Sequence, residues 1–203
     1  MIDSLWRLLC DDPTRQELNA HLAAQLHNLG LCLGKLKRYD EAVEVLDSSV
    51  VIFTTLHDDE PATWAGYLAG AQQSLAGALA EVEHWPRALE LSREAVTLRR
   101  TVPEPVTATD ASPHQLVVAL RLFAHVRAWA NAELDEALEA LTEALTLQLA
   151  ALTSEPQTSY LQEIYITELV QSELLQKLER VDAATRVAYA AGRAGPPAPP
   201  SDE

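Results

Sequence analysis

The chain has 203 residues, with 30 Asp and Glu against 15 Lys and Arg and a formal net charge of −15 at pH 7. This length fits one compact domain or one array of repeats. The acidic balance excludes a protein whose task is to neutralise nucleic-acid phosphates. No apolar run approaches the roughly 20 residues that span a bilayer, and Asp3 stands where a secretory signal carries basic residues. We therefore expect a cytoplasmic protein with no nucleic-acid or membrane partner.

Prolines divide the chain into helical segments. Five of them precede long apolar-periodic stretches: Pro13, Pro61, Pro86, Pro113 and Pro156. A helix tolerates proline in its first turn, where the missing N–H has no partner within the helix. The acidic pairs before Pro13 and Pro61 are expected to cap these starts.

Apolar residues recur at the spacing of one helix face. Leu22, Leu26, Leu29, Leu33 and Leu36 are separated by steps of four and three, and the pattern returns at Leu68, Leu75, Leu79 and Val82. In each case a polar turn follows, and then a second helix. We expect the leucine stripe of each first helix to be buried against that second helix.

The helix pair repeats along the chain. Ala42 and Ala88, just after the first two turns, are 46 residues apart, and third and fourth turns follow near Asp135 and Asp182. A period of 46–48 residues is typical of a solenoid. The expected helices are near 2–10, 13–35, 40–57, 61–82, 86–101, 113–131, 135–153, 156–178 and 182–193. The segment 102–112 is expected to be a flexible connector and 194–203 a Pro-rich disordered tail.

The repeat resembles the tetratricopeptide repeat (TPR), in the long-period form found in kinesin light chains and bacterial multi-repeat proteins. Leu29-Gly30, Tyr39 and Ala42 match the family's Leu-Gly pair, aromatic turn residue and small residue. The resemblance implies an all-α, right-handed α-solenoid of about four antiparallel hairpins. The expected divisions are 1–12 (orphan helix), 13–59, 60–106, 107–154 and 155–193 (repeats), and 194–203 (tail).

The resemblance also implies a function. In this family a concave groove lined by first helices binds a peptide or partner protein, and we expect a non-enzymatic interaction scaffold. The groove positions are His27, Asn28, Leu31, Lys35, Gln73, Ser74, Arg121 and His125. The histidines lack the spacing of a helical zinc site, and no metal, cofactor or catalytic residue is expected.

Several alternatives stay open at this point. The array could be a regulatory sensor that binds a small peptide or metabolite and switches a partner protein, or a helical-bundle enzyme with a deep pocket.

Two long stretches, 39–86 and 128–176, contain acids but no Lys or Arg. They form either a solvated convex face or a surface that attracts a basic partner. Trp64 and Trp129 are either core residues or surface anchors. Leu5, Leu8 and Leu9 of the orphan helix would support a homodimer.

Overall fold

The computed structural model describes residues 13–102, 115–154 and 158–178. These residues form seven α-helices and contain no strand. The helices are α1 (Pro13–Lys35), α2 (Tyr39–Asp59), α3 (Pro61–Glu81), α4 (Trp85–Thr101), α5 (Gln115–Ala130), α6 (Leu134–Ser154) and α7 (Thr158–Lys177). The middle seven of the expected helices are confirmed. The expected helices 2–10 and 182–193, the tail 194–203 and the connector from residue 103 onward lie outside the described residues.

The chain forms two compact units, Met1–Pro103 and Glu104–Glu203. In unit 1, α1 packs on α2, α2 on α3 and α3 on α4, and α1 also contacts α3. In unit 2, α5 packs on α6 and α6 on α7, and α5 also contacts α7. First helices (α1, α3, α5 and α7) thus alternate with second helices (α2, α4 and α6).

The three hairpin turns have the same backbone structure. Lys37, Glu83 and Asn131 adopt left-handed φ values of 60°, 60° and 51°. The N–H of Lys37 donates to the Gly34 carbonyl at 2.9 Å, and the next N–H along the chain donates to the Leu33 carbonyl at 3.0 Å. This bond pair, which defines a Schellman helix end, recurs at the other two turns. Their spacings of 46 (83 − 37) and 48 (131 − 83) residues match the period predicted from the sequence.

Small residues allow the helices of a hairpin to approach closely. Ala42, Ala88 and Ala137, each just after a turn, have no exposed surface. Between α1 and α2, the Leu46 side chain lies directly over Gly30, and the Ser49 hydroxyl donates to the Ala23 carbonyl at 2.8 Å. The predicted role of small residues after the turns is therefore confirmed in all three described hairpins.

The expected burial of the α1 leucine stripe is wrong for three of its five residues, while Leu33 is buried and Leu26 half-buried as predicted. Leu22, Leu29 and Leu36 are 52%, 48% and 66% exposed, because α2 lies against the side of α1 that carries Ala23 and Gly30. The corresponding stripe of α3 is buried as predicted, since α3 has a helix on each side, α2 and α4.

The expected capping role of the second acidic pair is also wrong. Helix α2 extends through Asp59, so Asp58 and Asp59 form its last turn. The residue before Pro61 is Glu60, whose side chain makes no capping hydrogen bond. Proline does begin α1 and α3 and lies in the first turn of α4, as expected.

Unit 2 buries a charged side chain beside its turn. Arg127 has no exposed surface, and its guanidinium carbon lies 3.3 Å from the centroid of the Phe123 ring. Its nitrogens lie 3.0 Å from a carboxylate oxygen of Glu133 and 3.8 Å from one of Glu136. The planar guanidinium thereby ties the end of α5 to the start of α6.

Candidate partner-binding face

A hydrogen bond joins the two first helices of unit 1. His27 Nε2 on α1 and Ser74 Oγ on α3 are 2.8 Å apart, and both side chains are half-buried. Burial lowers the pKa of His27, because an apolar surrounding disfavours the charged imidazolium. At neutral pH a neutral imidazole therefore holds α1 beside α3. The structure brings these two predicted groove residues together.

The other predicted residues of unit 1 surround this bond. Asn28, Leu31 and Lys35 follow His27 along α1 and are exposed, with Leu31 at 43%. Gln73 precedes Ser74 on α3 and is half-buried. Because α1 contacts α3 through this side, the exposed α1 residues and the neighbouring α3 residues form one accessible surface.

Sequence reasoning missed an aromatic residue of this surface. Tyr67 lies two turns before Ser74 on the same side of α3 and is 57% exposed. Its ring stacks on Phe53 of α2 at a centroid distance of 5.7 Å and lies 5.5 Å from the ring of Trp64. Packing thus fixes the ring while much of its surface stays open to solvent. The i, i+7 spacing to Ser74 is the sequence signal that could have identified it. We call His27, Asn28, Leu31, Lys35, Tyr67 and Ser74 the first-helix face of unit 1.

Unit 2 has a bridge at the same register position. Arg121 on α5 forms a half-buried ion pair with Glu163 on α7. Arg121 follows His27 by 94 residues, which is the sum of the two repeat spacings of 46 and 48. In each unit this predicted groove position therefore connects one first helix to the next.

An aromatic pair lies one turn further along α5. The ring of His125, a predicted groove residue, stacks on Trp129 with centroids 5.7 Å apart. Burial lowers the pKa of His125, and the nearby charge of Arg121 lowers this pKa further, while Glu173 raises it. Trp129 is 49% exposed, so the surface-anchor alternative fits it. Trp64 is half-buried and packs 6.3 Å from Phe53.

A cavity of about 700 Å³ lies along α4. It is lined by Gln72, Pro86, Glu90, Arg93, Glu94, Thr97 and Leu98. The Gln72 amide donates to a Glu94 carboxylate oxygen at 2.7 Å. Desolvation, and then the neighbouring charge of Glu90, raise the pKa of Glu94. None of the groove residues predicted from the sequence lines this cavity.

Metal-ligand clusters and membrane-spanning helices are both absent from the residues that the structure describes. Within them, no three His, Cys, Asp or Glu side chains come together in a way that could hold a metal ion. Over the same residues, no helix combines the length and the apolar character needed to cross a membrane.

Comparison with known proteins identifies the fold. No protein-family model matches the sequence, and no curated protein matches it either. Among solved structures, BtubC (BKLC) from P. vanneervenii is similar, with a TM-score of 0.58 and 16% identity over 90% of this chain and 68% of that one. A candidate kinesin light chain from Podosopora anserina with nearly identical TPR-like repeats has a TM-score of 0.53, and a point variant of that protein 0.54. Each of the two is 16% identical to this chain, and the match covers 87% of this chain and 95% of the other. The predicted all-α, TPR-like repeat fold is confirmed.

Proposed function

We propose that this chain, a TPR-like helical repeat protein, is a non-enzymatic interaction module. Its first-helix face of unit 1 would bind a peptide segment of a partner protein. The observation that carries this proposal is the combination of a fixed polar pair with exposed apolar side chains. His27 and Ser74 hold α1 beside α3, and Leu31 and Tyr67 remain 43% and 57% exposed next to them.

This combination suits peptide recognition. Interfaces are enriched in tyrosine, whose rigid ring buries a large area at a small cost in entropy. Here the packing of Tyr67 on Phe53 fixes the ring before any partner arrives, which reduces that cost further. Asn28 supplies an exposed amide that can donate to and accept from a peptide backbone. The site would recognise a peptide through one apolar anchor residue and through hydrogen bonds to the peptide backbone on either side of it.

The partner would carry positive charge. The stretch 39–86 contains nine acids and no Lys or Arg, and 128–176 contains nine more. With a net charge of −15, the chain attracts basic segments over a Debye length of about 8 Å at physiological salt. We expect this attraction to act mainly on the rate of association, while Tyr67 and Leu31 determine the rate of dissociation.

Peptide selection against the intact chain tests the proposal. Peptides recovered from a random display library would be measured by calorimetry against the wild type and against Leu31→Ala and Tyr67→Ala. Both side chains are exposed, so neither truncation should unfold the protein. We expect about tenfold weaker binding or more for each, as is usual for an interface anchor.

A matched control lies on a second helix. Val51 on α2 is 60% exposed, so Val51→Ala removes similar apolar area away from the proposed face and should leave the affinity unchanged. Selected peptides should be rich in Lys and Arg and bind more weakly at high salt. Peptide binding that ignores both first-helix substitutions, or a library that yields no binder, would overturn the proposal.

A further inference from the structure

Helix α1 carries an exposed, mainly apolar stripe on a side different from its α2-facing side. The stripe consists of Leu18, Leu22, Gln25, Leu29, Cys32 and Leu36, the last of which directly follows the end of α1, and we call it the leucine seam. Its four leucines are 68%, 52%, 48% and 66% exposed, and Gln25 and Cys32 are exposed as well. The seam runs most of the length of the helix, about 27 Å at 1.5 Å per residue.

The internal repeat shows what kind of group such a stripe receives. Adding the period of 46 residues to the seam gives Trp64, Leu68, Ala71, Leu75 and Ala78 on α3, and Val82 at its C-cap. Four of these side chains are buried, and Trp64 packs against Phe53 of α2. The stripe that is exposed on α1 is thus covered in the next repeat, where helices flank α3 on both sides. A helix is therefore the complementary shape for the seam.

The order of residues in the seam favours one particular helix. The steps of four, three, four, three and four are the spacing of a coiled-coil interface. They are also the same when read in either direction, with their centre at residue 27. We propose that the leucine seam binds the seam of a second copy of this chain in an antiparallel pair, which gives a two-fold symmetric dimer.

Every apolar residue of the seam meets an apolar residue or a methylene stem in this pairing. With the two-fold axis at residue 27, Leu22 lies opposite the smaller Cys32 of the other copy, and a large residue against a small one fills space without overlap. Leu18 and Leu36 meet at both ends, where the two helices have more room to diverge. Any other position of the axis would leave part of the seam uncovered.

Gln25 is the polar residue of the seam, and it lies near the axis. It faces Leu29 of the other copy, against which its methylene groups can pack. The two Gln25 residues are about 6 Å apart along the axis, so their amides can donate to and accept from each other. A single polar position in a coiled-coil core specifies register at some cost in stability. Gln25 would have that role here.

Charges at the ends of the seam agree with this direction. Glu17 lies beside the first seam residue, and Lys37 follows the last one; both are exposed. In the antiparallel pair Lys37, in the turn after α1, comes near the level of Glu17 of the other copy, since 17 and 37 are equidistant in sequence from residue 27, so each end places opposite charges near each other. A parallel pair would instead place Glu17 against Glu17 and Lys37 against Lys37, which is repulsive.

Light scattering of the intact chain at tens of micromolar gives the first test. We expect twice the monomer mass, and the monomer mass for the double variant Leu22→Glu, Leu29→Glu. Both positions are exposed, so circular dichroism should show unchanged helix content. The matched control Val51→Glu, on the 60% exposed position of α2, should remain a dimer. A wild-type monomer, or a dimer that persists in the double variant, would overturn the proposal.

Disulfide trapping tests the direction of the pair. In a Cys10→Ser background, Leu22→Cys places a thiol opposite Cys32 of the other copy. Mild oxidation should then link most of the protein as a dimer. The background without Leu22→Cys should stay unlinked, because the two Cys32 residues of an antiparallel pair are about 15 Å apart along the axis.

Each other occupant of the seam gives a distinct result. A parallel dimer would link through Cys32 in the background variant and not require Leu22→Cys. A monomer in which Cys32 resists a thiol reagent would show that the chain's own residues 1–12 cover the seam. A monomer with a reactive Cys32 would show that the seam is accessible to a different protein. All three results contradict the antiparallel pair, and none of them affects the peptide-binding test above.

Discussion

Leu46 of α2 lies directly over the backbone of Gly30 in α1. A Cβ atom placed on Gly30 would be 2.6 Å from Leu46 Cδ2, and closer still to Cγ. A real Cβ essentially never approaches another carbon so closely, so the first hairpin of unit 1 requires glycine at this position. Gly34, one turn later, has no such neighbour, since a Cβ there would meet no heavy atom within 4 Å.

Alanine substitutions at these two glycines should have opposite effects. We expect Gly30→Ala to lower the free energy of unfolding by about 2 kcal/mol, because the branched carbon of Leu46 must move. Gly34→Ala should raise it by about 0.5–1 kcal/mol, because alanine restricts the unfolded chain and favours helix. Urea unfolding followed by circular dichroism measures both. Similar losses for the two variants would show that the contact with Leu46 does not exclude a side chain at Gly30.

The left-handed turn residues offer a second stability test. Glu83 has a φ of 60°, so Glu83→Gly removes backbone strain, and its side chain makes no buried contact that the change would cost. We expect a gain of about 1 kcal/mol in the free energy of unfolding. Asn131→Gly should gain less, since asparagine tolerates this conformation better than glutamate. Equal gains, or a loss at Glu83, in thermal unfolding would contradict the strain argument.

Acidification should destabilise unit 1 through His27. Burial lowers its folded-state pKa below the ordinary value of 6.5, so near that pH the unfolded chain binds more protons than the folded one. Stability then rises with pH through this window and is lost as pH falls. His27→Gln should lose less stability than the wild type between about pH 7.5 and 5.5, as measured by urea unfolding.

Titration of the imidazole by NMR checks the cause of this shift. In the wild type the His27 ring should titrate below 6.5. Ser74→Ala should leave that titration low, because burial rather than the hydrogen bond lowers the pKa. A His27 ring that titrates at or above its ordinary value would refute the prediction.

Arg127 should matter more for its shape than for its charge. Arg127→Ala leaves a cavity over Phe123 and removes the partner of Glu133, and we expect a loss of about 3 kcal/mol. Arg127→Met keeps most of the volume and removes the buried charge, so its loss should be smaller. Amide hydrogen exchange in α5 and α6 isolates unit 2 for this comparison. A methionine variant as unstable as the alanine variant would show that the charge itself is essential.

The predicted groove residues show which part of the candidate site residue patterns can predict. The repeat register placed His27, Ser74 and Arg121 on first helices, and the structure has them there. It could not show that His27 contacts Ser74 or that Arg121 pairs with Glu163, because a contact between helices depends on the side-chain lengths of both. Tyr67 was not predicted, for a related reason: whether an aromatic residue is buried depends on which neighbour covers it.

Residue patterns alone predict the helices, their period and the tight turns. These follow from local physics: proline fits a first turn, apolar residues recur every three or four positions, and small residues follow each turn. Packing between helices sets how far each of two similar apolar stripes is buried. Leu22 and Leu68 occupy equivalent positions, yet one is 52% exposed and the other 4%, because α2 and α4 flank α3 while no described helix covers that side of α1. Burial is a property of neighbours, and the seam that results is where we expect a second copy to bind.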